Sequence, residues 1–430
     1  MTATPAHTPS FLHQLPPLLI LALAMGAGFT MMGSFSMVQE GAKAEMGLSD
    51  FQLSLVQGVA AAVPLLLFSI PIGLLVDRTN RLRLFIGLAM IWTLGTFLTA
   101  TAQSVPTLFV ARMFAGIGTT GALTAALSLC ADLCPPHQRG RALLVVTLGK
   151  ALGQAGAFAL AGWLLSLFLR QRAGGGSLAD VAPWRAVHFA LAALSAALVL
   201  PLLLLREPTR REVAAGIHAP WRVVLGELWS RRAFLGPLFI GQVSVVMADA
   251  AAAIWASPVL SRSYGLSPPD FAGWMGILIF LTGVAGSVLG GVAADIGQKS
   301  GRQGGLLIGA VIAAALGIPA ALFPIMPGVP SFAVALGALM LCGTVTGLIT
   351  SVALTVMLPN ELRGLCIGAF IAIAGLIGFG VAPTLVTAIS GLLGGEAHLG
   401  EGLATVGVSV SILSVGAFWL AMRRAPARPI

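Results

Sequence analysis

The sequence predicts an all-α membrane protein of twelve transmembrane helices in two six-helix bundles. Three observations carry that prediction. Of 430 residues, 57% are hydrophobic and only 9% are charged, where a soluble chain carries roughly 25% charged residues. So few charges cannot hydrate a surface this large, and lipid must cover most of it. Twelve apolar runs reach about 20 residues, the length that crosses a bilayer. Two short motifs also recur in order, once in each half of the chain.

The runs lie near 17–38, 51–76, 84–104, 107–131, 142–169, 184–205, 233–261, 271–294, 305–326, 331–357, 365–392 and 403–422. The first exceeds a secretory signal core, and no Lys or Arg precedes Lys43, so it reads as a helix rather than a leader. An even number of spans puts both termini on one side. Turns after odd-numbered spans hold five basic residues, Lys43, Arg170, Arg172, Arg185 and Arg262. Turns after even-numbered spans, with the C-terminal tail, hold seventeen, while the acids divide evenly. Lys and Arg are retained in the cytoplasm, so both termini are expected there. The net charge of +9 is thus a topology signal and not a nucleic-acid footprint.

The longest polar interruption, 206–232, divides six spans from six. The expected domains are a bundle at 1–205, a cytoplasmic linker at 206–232 and a bundle at 233–430. Within the linker Trp221, Val224, Leu225, Leu228 and Trp229 recur at helical spacing beside Arg222, Arg231 and Arg232. That pattern suits a short helix in the membrane interface. Gly73-x-x-x-Asp77 after span two returns as Gly291-x-x-x-Asp295 after span eight. Pro135-x-x-x-Arg139-Gly140 after span four returns as Pro359-x-x-x-Arg363-Gly364 after span ten. Repeats in register predict duplicated bundles with a cavity between them.

An acid where a helix leaves the membrane adds nothing to the positive-inside bias. It can hold a neighbouring helix through that helix's positive N-terminus or through an Arg. The expected gate set is therefore Asp77, Arg78, Arg81, Arg139, Asp295, Arg302 and Arg363, with Arg83 a plain anchor. Inside the spans lie Arg112, Lys150 and Asp249. Each costs about 2.5–3.5 kcal/mol near the bilayer centre and so usually faces a cavity or a partner, although Arg112, close to the outer end of span four, reads by itself as a snorkelling Arg. Asp249 is the deepest and is too short to snorkel. Lys150 and Gln154 share a helix face at i, i+4 and would suit a carboxylate or phosphate, although Lys150 can also snorkel. Gln57 and Gln242 are candidates to bond a substrate or to bond between helices. Trp255 is a candidate for the cavity wall.

No phosphate loop, His-rich metal box or Ser/His/Asp arrangement occurs, so neither an enzyme, a cofactor nor a metal is expected. Cys130, Cys134, Cys342 and Cys366 lack metal-ligand spacing and read as buried free thiols.

The stretch from Gly73 to Arg83, its copy at Asp295, and Arg112-x-x-x-Gly116-x-Gly118 resemble the signature motifs of the major facilitator superfamily. Gly47-Leu-Ser-Asp50, Asp77-Arg78-Thr-Asn80-Arg81, Trp92-Thr-Leu-Gly-Thr96 and Arg139-Gly140-Arg141-Ala142 are similar to its spinster-like and anion-symporter branches. There are departures. Asn80 stands in place of the usual Gly, and Thr119 where spinster-like proteins often carry Glu. Span one has no carboxylate, and Gly149-x-x-x-Gly153-Gln154-x-Gly156 lacks the Gly-Pro of drug/proton antiporters. The resemblance implies a secondary transporter working by alternating access, with Arg112 involved in proton coupling. Two cations against one acid within the spans tilt the substrate toward a small organic anion, with Asp249 and Arg112 coupling protons. The alternative is an exporter of lysolipids or other amphiphiles and drugs. The expected partners are a small-molecule substrate, protons and the bilayer of a bacterial inner membrane, with the chain a monomer.

Overall fold

The computed structural model describes residues 11–135, 138–175, 180–208, 229–357 and 370–426. Among these residues twelve helices are long and apolar enough to cross a membrane, and no strand occurs. They are α1 Gln14–Met46, α2 Asp50–Ser69, α3 Arg81–Thr101, α4 Val105–Leu133, α5 Arg141–Ala173 and α6 Pro183–Leu204, then α7 Arg232–Ser263, α8 Pro268–Lys299, α9 Gly305–Ile325, α10 Val329–Met357, α11 Phe370–Leu393 and α12 Glu396–Arg423. α2 continues as helix to Arg78. The face where the chain begins and ends is the termini side, and the opposite face is the far side.

Every expected span has its helix. Helices suit this solvent because they satisfy their own backbone groups where no water is present. The largest difference is in α1, which runs to Met46 rather than ending near 38. Its extension carries Glu40, Lys43 and Glu45, which all pair with side chains elsewhere. Hydropathy therefore falls where helix continues. The linker residues 209–228 lie outside the described residues, as do Pro359, Arg363, Gly364 and Cys366. Cys130, Cys134 and Cys342 are buried free thiols.

Six helices pack together in each half. Within the first, α5 crosses α1 through glycine. A Cβ built on Gly149 would stand 2.2 Å from the Ala22 carbonyl oxygen, and one on Gly153 would stand 2.3 Å from that of Gly26. The Gly149-x-x-x-Gly153 spacing is thus a close-packing face, as small residues commonly provide in membranes. At the termini end, Arg81 is buried and bonded within its own half. Its guanidinium pairs with Asp132 at the end of α4 and with Glu207 beyond α6, the latter at 3.0 Å.

Two seams join the halves. α8 lies on α5, with Ala272 filling the space beside Gly162. α2 meets α11 where both carry a π-helical turn, Leu55–Val59 and Leu376–Val381. Such turns interrupt the regular ladder and often occur at functional positions. Gly58 and Phe379 touch there, and a Cβ on Gly58 would lie 2.3 Å from the Phe379 carbonyl oxygen.

The α1–α5 contact carries an expectation. Gly153→Ala should destabilise the protein by about 1–3 kcal/mol, as forced overpacking does, seen as a lower unfolding temperature in detergent. Gly87→Ala, whose added methyl meets no atom within 4 Å, should leave that temperature unchanged.

Candidate functional site

A cavity of about 360 Å³ lies between the halves. The first half contributes Arg112, Gln57, Gln154 and Ser36, and the second contributes Asp249, Thr282 and Thr344. Between these polar groups the wall is apolar and soft, with Phe29, Phe158 and Phe379 beside Met32 and Met340.

Arg112 is held by a break in α1. Helix runs to Gly33 and resumes at Phe35, with Ser34 between. The last carbonyls before a break lack intrahelical donors. Arg112 supplies them: Nη1 donates to the Met31 carbonyl at 3.3 Å and Nη2 donates to that of Met32. The guanidinium carbon also stands 5.4 Å from the centre of the Phe35 ring. A buried cation is thus oriented, with its edge on the cavity. It does not snorkel to the surface, although it starts near the far end of α4.

Asp249 reaches the cavity from α7. Its carboxylate rests on Gly343 of α10, where a Cβ would come within 2.2 Å of Oδ2. Among the described residues Asp249 forms no ion pair, and its buried Oδ1 has no hydrogen-bond partner. Arg112 and Asp249 therefore present a basic and an acidic side chain from opposite halves.

Three other expected residues stand elsewhere. Lys150 is outside the cavity lining, with Nζ 5.3 Å from the centre of the Phe29 ring that does line it. Sharing a face with Gln154 is not enough, because the residues sit one turn apart along α5. Gln242 is buried in the second half and accepts a bond from Thr350 at 3.0 Å. Trp255 is fully buried and donates to the Pro383 carbonyl at 3.2 Å. Both settle interhelical polar needs rather than facing the cavity.

The termini-side set is only partly drawn together. Arg81 is tied up within the first half, and Arg139 donates to the Ala131 carbonyl at 3.0 Å, also within that half. Asp77, Arg78, Asp295 and Arg302 are exposed on the termini side, and Arg363 lies outside the described residues.

On the far side the halves are bound by charge. Arg262 of α7 pairs with Glu40 of α1 at 2.7 Å and with Asp50 of α2 at 2.6 Å. Lys43 pairs with Asp50 at 2.5 Å and also with Glu396 at the start of α12. Glu396 in turn accepts the Asp50 backbone N–H at 2.7 Å. Glu40 and Arg262 are bidentate, the strong geometry for such pairs.

The Major Facilitator Superfamily model matches residues 18–383. The chain belongs to that superfamily. As a major facilitator protein it is a membrane transporter by family. It is 27% identical over 327 residues to the probable 4-methylmuconolactone transporter of Cupriavidus pinatubonensis, covering 73% of this chain and 71% of that one. Over 83 residues it is 34% identical to the 3-(3-hydroxy-phenyl)propionate transporter of Escherichia coli, covering 19% and 21% of the two chains. Its fold matches a bacterial homolog of the human lysosomal transporter Spinster, solved inward-facing and unoccupied, with a TM-score of 0.81. That match has 21% identity and covers 97% of this chain and 98% of the other.

Sequence reasoning missed Ser36, Thr282, Thr344 and the far-side charges of this major facilitator protein. Ser and Thr inside apolar runs are too common to single out. Glu40, Lys43, Asp50, Arg262 and Glu396 were visible only as scattered loop charges, because their meeting joins residues from both ends of the chain.

That network is cooperative, which gives a double-mutant test. Arg262→Ala and Asp50→Ala should each lower the unfolding temperature in detergent. Together they should cost less than their sum, with a coupling of about 0.5–3 kcal/mol.

Proposed function

We propose that this major facilitator protein moves a small organic anion across a bacterial inner membrane by alternating access, coupled to protons. The observation that carries the reading is the cavity itself: one guanidinium and one carboxylate, from opposite halves, across an apolar aromatic interior. Arg112 would take the substrate's anionic group, with Gln57 and Gln154 as hydrogen-bond partners. Asp249, which has no ion-pair partner among the described residues, would gain and lose the proton as access alternates. The named cargo of two relatives, 4-methylmuconolactone and 3-(3-hydroxyphenyl)propionate, favours acids with a compact, ring-sized body. Such a body suits a wall of Phe and Met, and a cavity of about 360 Å³ is within the usual range for small ligands.

In this reading the far-side ion network marks the state closed on that face. Asp77, Arg78, Arg81, Arg139, Asp295, Arg302 and Arg363 would serve the opposite closure on the termini side. The basic bias supports a cytoplasmic termini side. Residues 206–232 would be the joint between bundles 1–205 and 233–430, and one polypeptide would suffice as the working unit. The apolar wall also suits export of an amphiphile or drug, and a 96-residue stretch 31% identical to a multidrug resistance protein B homolog of Mycobacterium tuberculosis favours testing it.

The deciding experiment is thermal unfolding of purified protein against aromatic and alicyclic carboxylates and against lysolipids, followed by uptake into liposomes. A ligand at about 100 times its dissociation constant adds roughly 2.7 kcal/mol of stability. Stabilisation and uptake of one carboxylate class are expected. Stabilisation by lysolipids alone would overturn the anion reading. Arg112→Lys, which loses the planar fork, should weaken that carboxylate's binding by roughly tenfold or more. Asp249→Asn should abolish accumulation driven by a pH gradient while leaving exchange of labelled for unlabelled substrate intact. Accumulation at the wild-type level in Asp249→Asn would remove Asp249 from proton coupling.

A further inference from the structure

A chain of amide side chains runs from the cavity wall to the far-side closure through Gln39, a residue with no part in the proposed transport of an anion. Its origin is Pro258 in α7. Proline has no N–H, so the carbonyl four residues earlier, that of Ile254, loses its intrahelical donor. In the bilayer no water replaces it. Gln39 of α1 does so from the other half, with Nε2 donating to the Ile254 oxygen at 2.7 Å. Gln39 is fully buried. It directly precedes Glu40, whose carboxylate holds Arg262, so neighbouring residues of α1 carry both contacts to α7.

Gln39 is itself positioned by the cavity wall. Its Oε1 accepts from Gln57 Nε2, and Gln57 Oε1 accepts from Ser36 Oγ at 2.9 Å. Gln57 and Ser36 both line the cavity, as does Ile254. Gln39 Nε2 also donates to the Ser36 carbonyl one turn earlier in α1, at 3.2 Å, so the amide is held by its own helix and by Gln57, and its bond to Ile254 crosses between the halves.

We propose that Gln39 is the positioning residue that couples the cavity wall to closure of the far side. With Gln57 and Ser36 bonded to each other, the Gln39 amide is oriented for the Ile254 carbonyl and the halves are held. A polar group in the cavity that takes the Gln57 amide or the Ser36 hydroxyl withdraws that support, and the far side loosens. The use of this coupling in a transport cycle rests on the proposed transport function. The coupling itself does not, and its test needs no substrate.

The test is amide hydrogen exchange, followed by mass spectrometry, on the full purified chain in detergent without added ligand. Gln39→Met keeps the length of the side chain but cannot donate to Ile254. Gln57→Leu removes the wall end of the path and leaves Gln39 in place. Pro258→Ala restores an N–H that competes for the Ile254 carbonyl. Each should speed exchange at residues 40–50 and 394–398 by roughly tenfold, the loss expected for one buried hydrogen bond. Residues 84–99, deep in the first bundle, should exchange at the wild-type rate. Far-side exchange unchanged in Gln57→Leu would overturn the coupling, even if Gln39→Met failed to fold. Exchange raised equally at 84–99 would also overturn it, because Gln39 would then be only a stabilising contact. Failure of the anion reading would appear separately, as no carboxylate stabilising the wild-type protein.

Discussion

A buried carbonyl, amide or charge in a bilayer has no water to bond to, and must find its partner within the protein. That constraint shapes nearly every polar contact in this molecule. At the break around Ser34 the Met31 and Met32 carbonyls accept from Arg112, and Met31 also from the Ser34 hydroxyl. Pro258 strips the donor from Ile254, and Gln39 replaces it. Arg81 is taken up by Asp132 and Glu207. In the first two cases the helix that loses a bond is tied to a different helix. Local defects in the backbone thereby become tertiary links.

The same constraint separates fixed contacts from those that can exchange. The bonds of Arg81 to Asp132 and of Arg139 to the Ala131 carbonyl lie within one bundle, where a rocking motion would leave them intact. The pairs of Arg262 with Glu40 and Asp50, and of Lys43 with Glu396, cross between bundles. They lie at the membrane surface, where water can take over when they part. These pairs are part-buried, the Asp50 side chain only 4% exposed, so parting them is offset by the water that then reaches the freed charges. Deeper in the membrane the halves meet through glycine contacts and π-helical turns, which carry no charge to desolvate.

Much of the fold was legible in the sequence because its signals are local. Span number follows from the length of apolar runs, and duplication from Asp77 and Asp295 standing after matching helices. Arg112 and Asp249 were found by the same logic, since a charge at membrane depth stands out against its neighbours. The faces of the helices were not legible. These spans are apolar nearly all round, so hydrophobic periodicity, which marks the buried face of a soluble helix, carries little here. Lys150 and Gln154 share a face, yet only Gln154 lines the cavity. Gln242 and Trp255 flank Asp249 along α7, yet both are spent on bonds to other helices.

By itself the sequence determined the solvent, the number of crossings and the family, because each depends on composition or on residues close together in the chain. Only the tertiary structure decided which polar groups share the cavity and which close the far side. Gln39 and Ile254, or Lys43 and Glu396, are far apart in sequence. Their pairing depends on how two bundles of nearly uniform apolar surface settle against each other, and close packing at residues such as Gly58, Gly162 and Gly276 sets that fit.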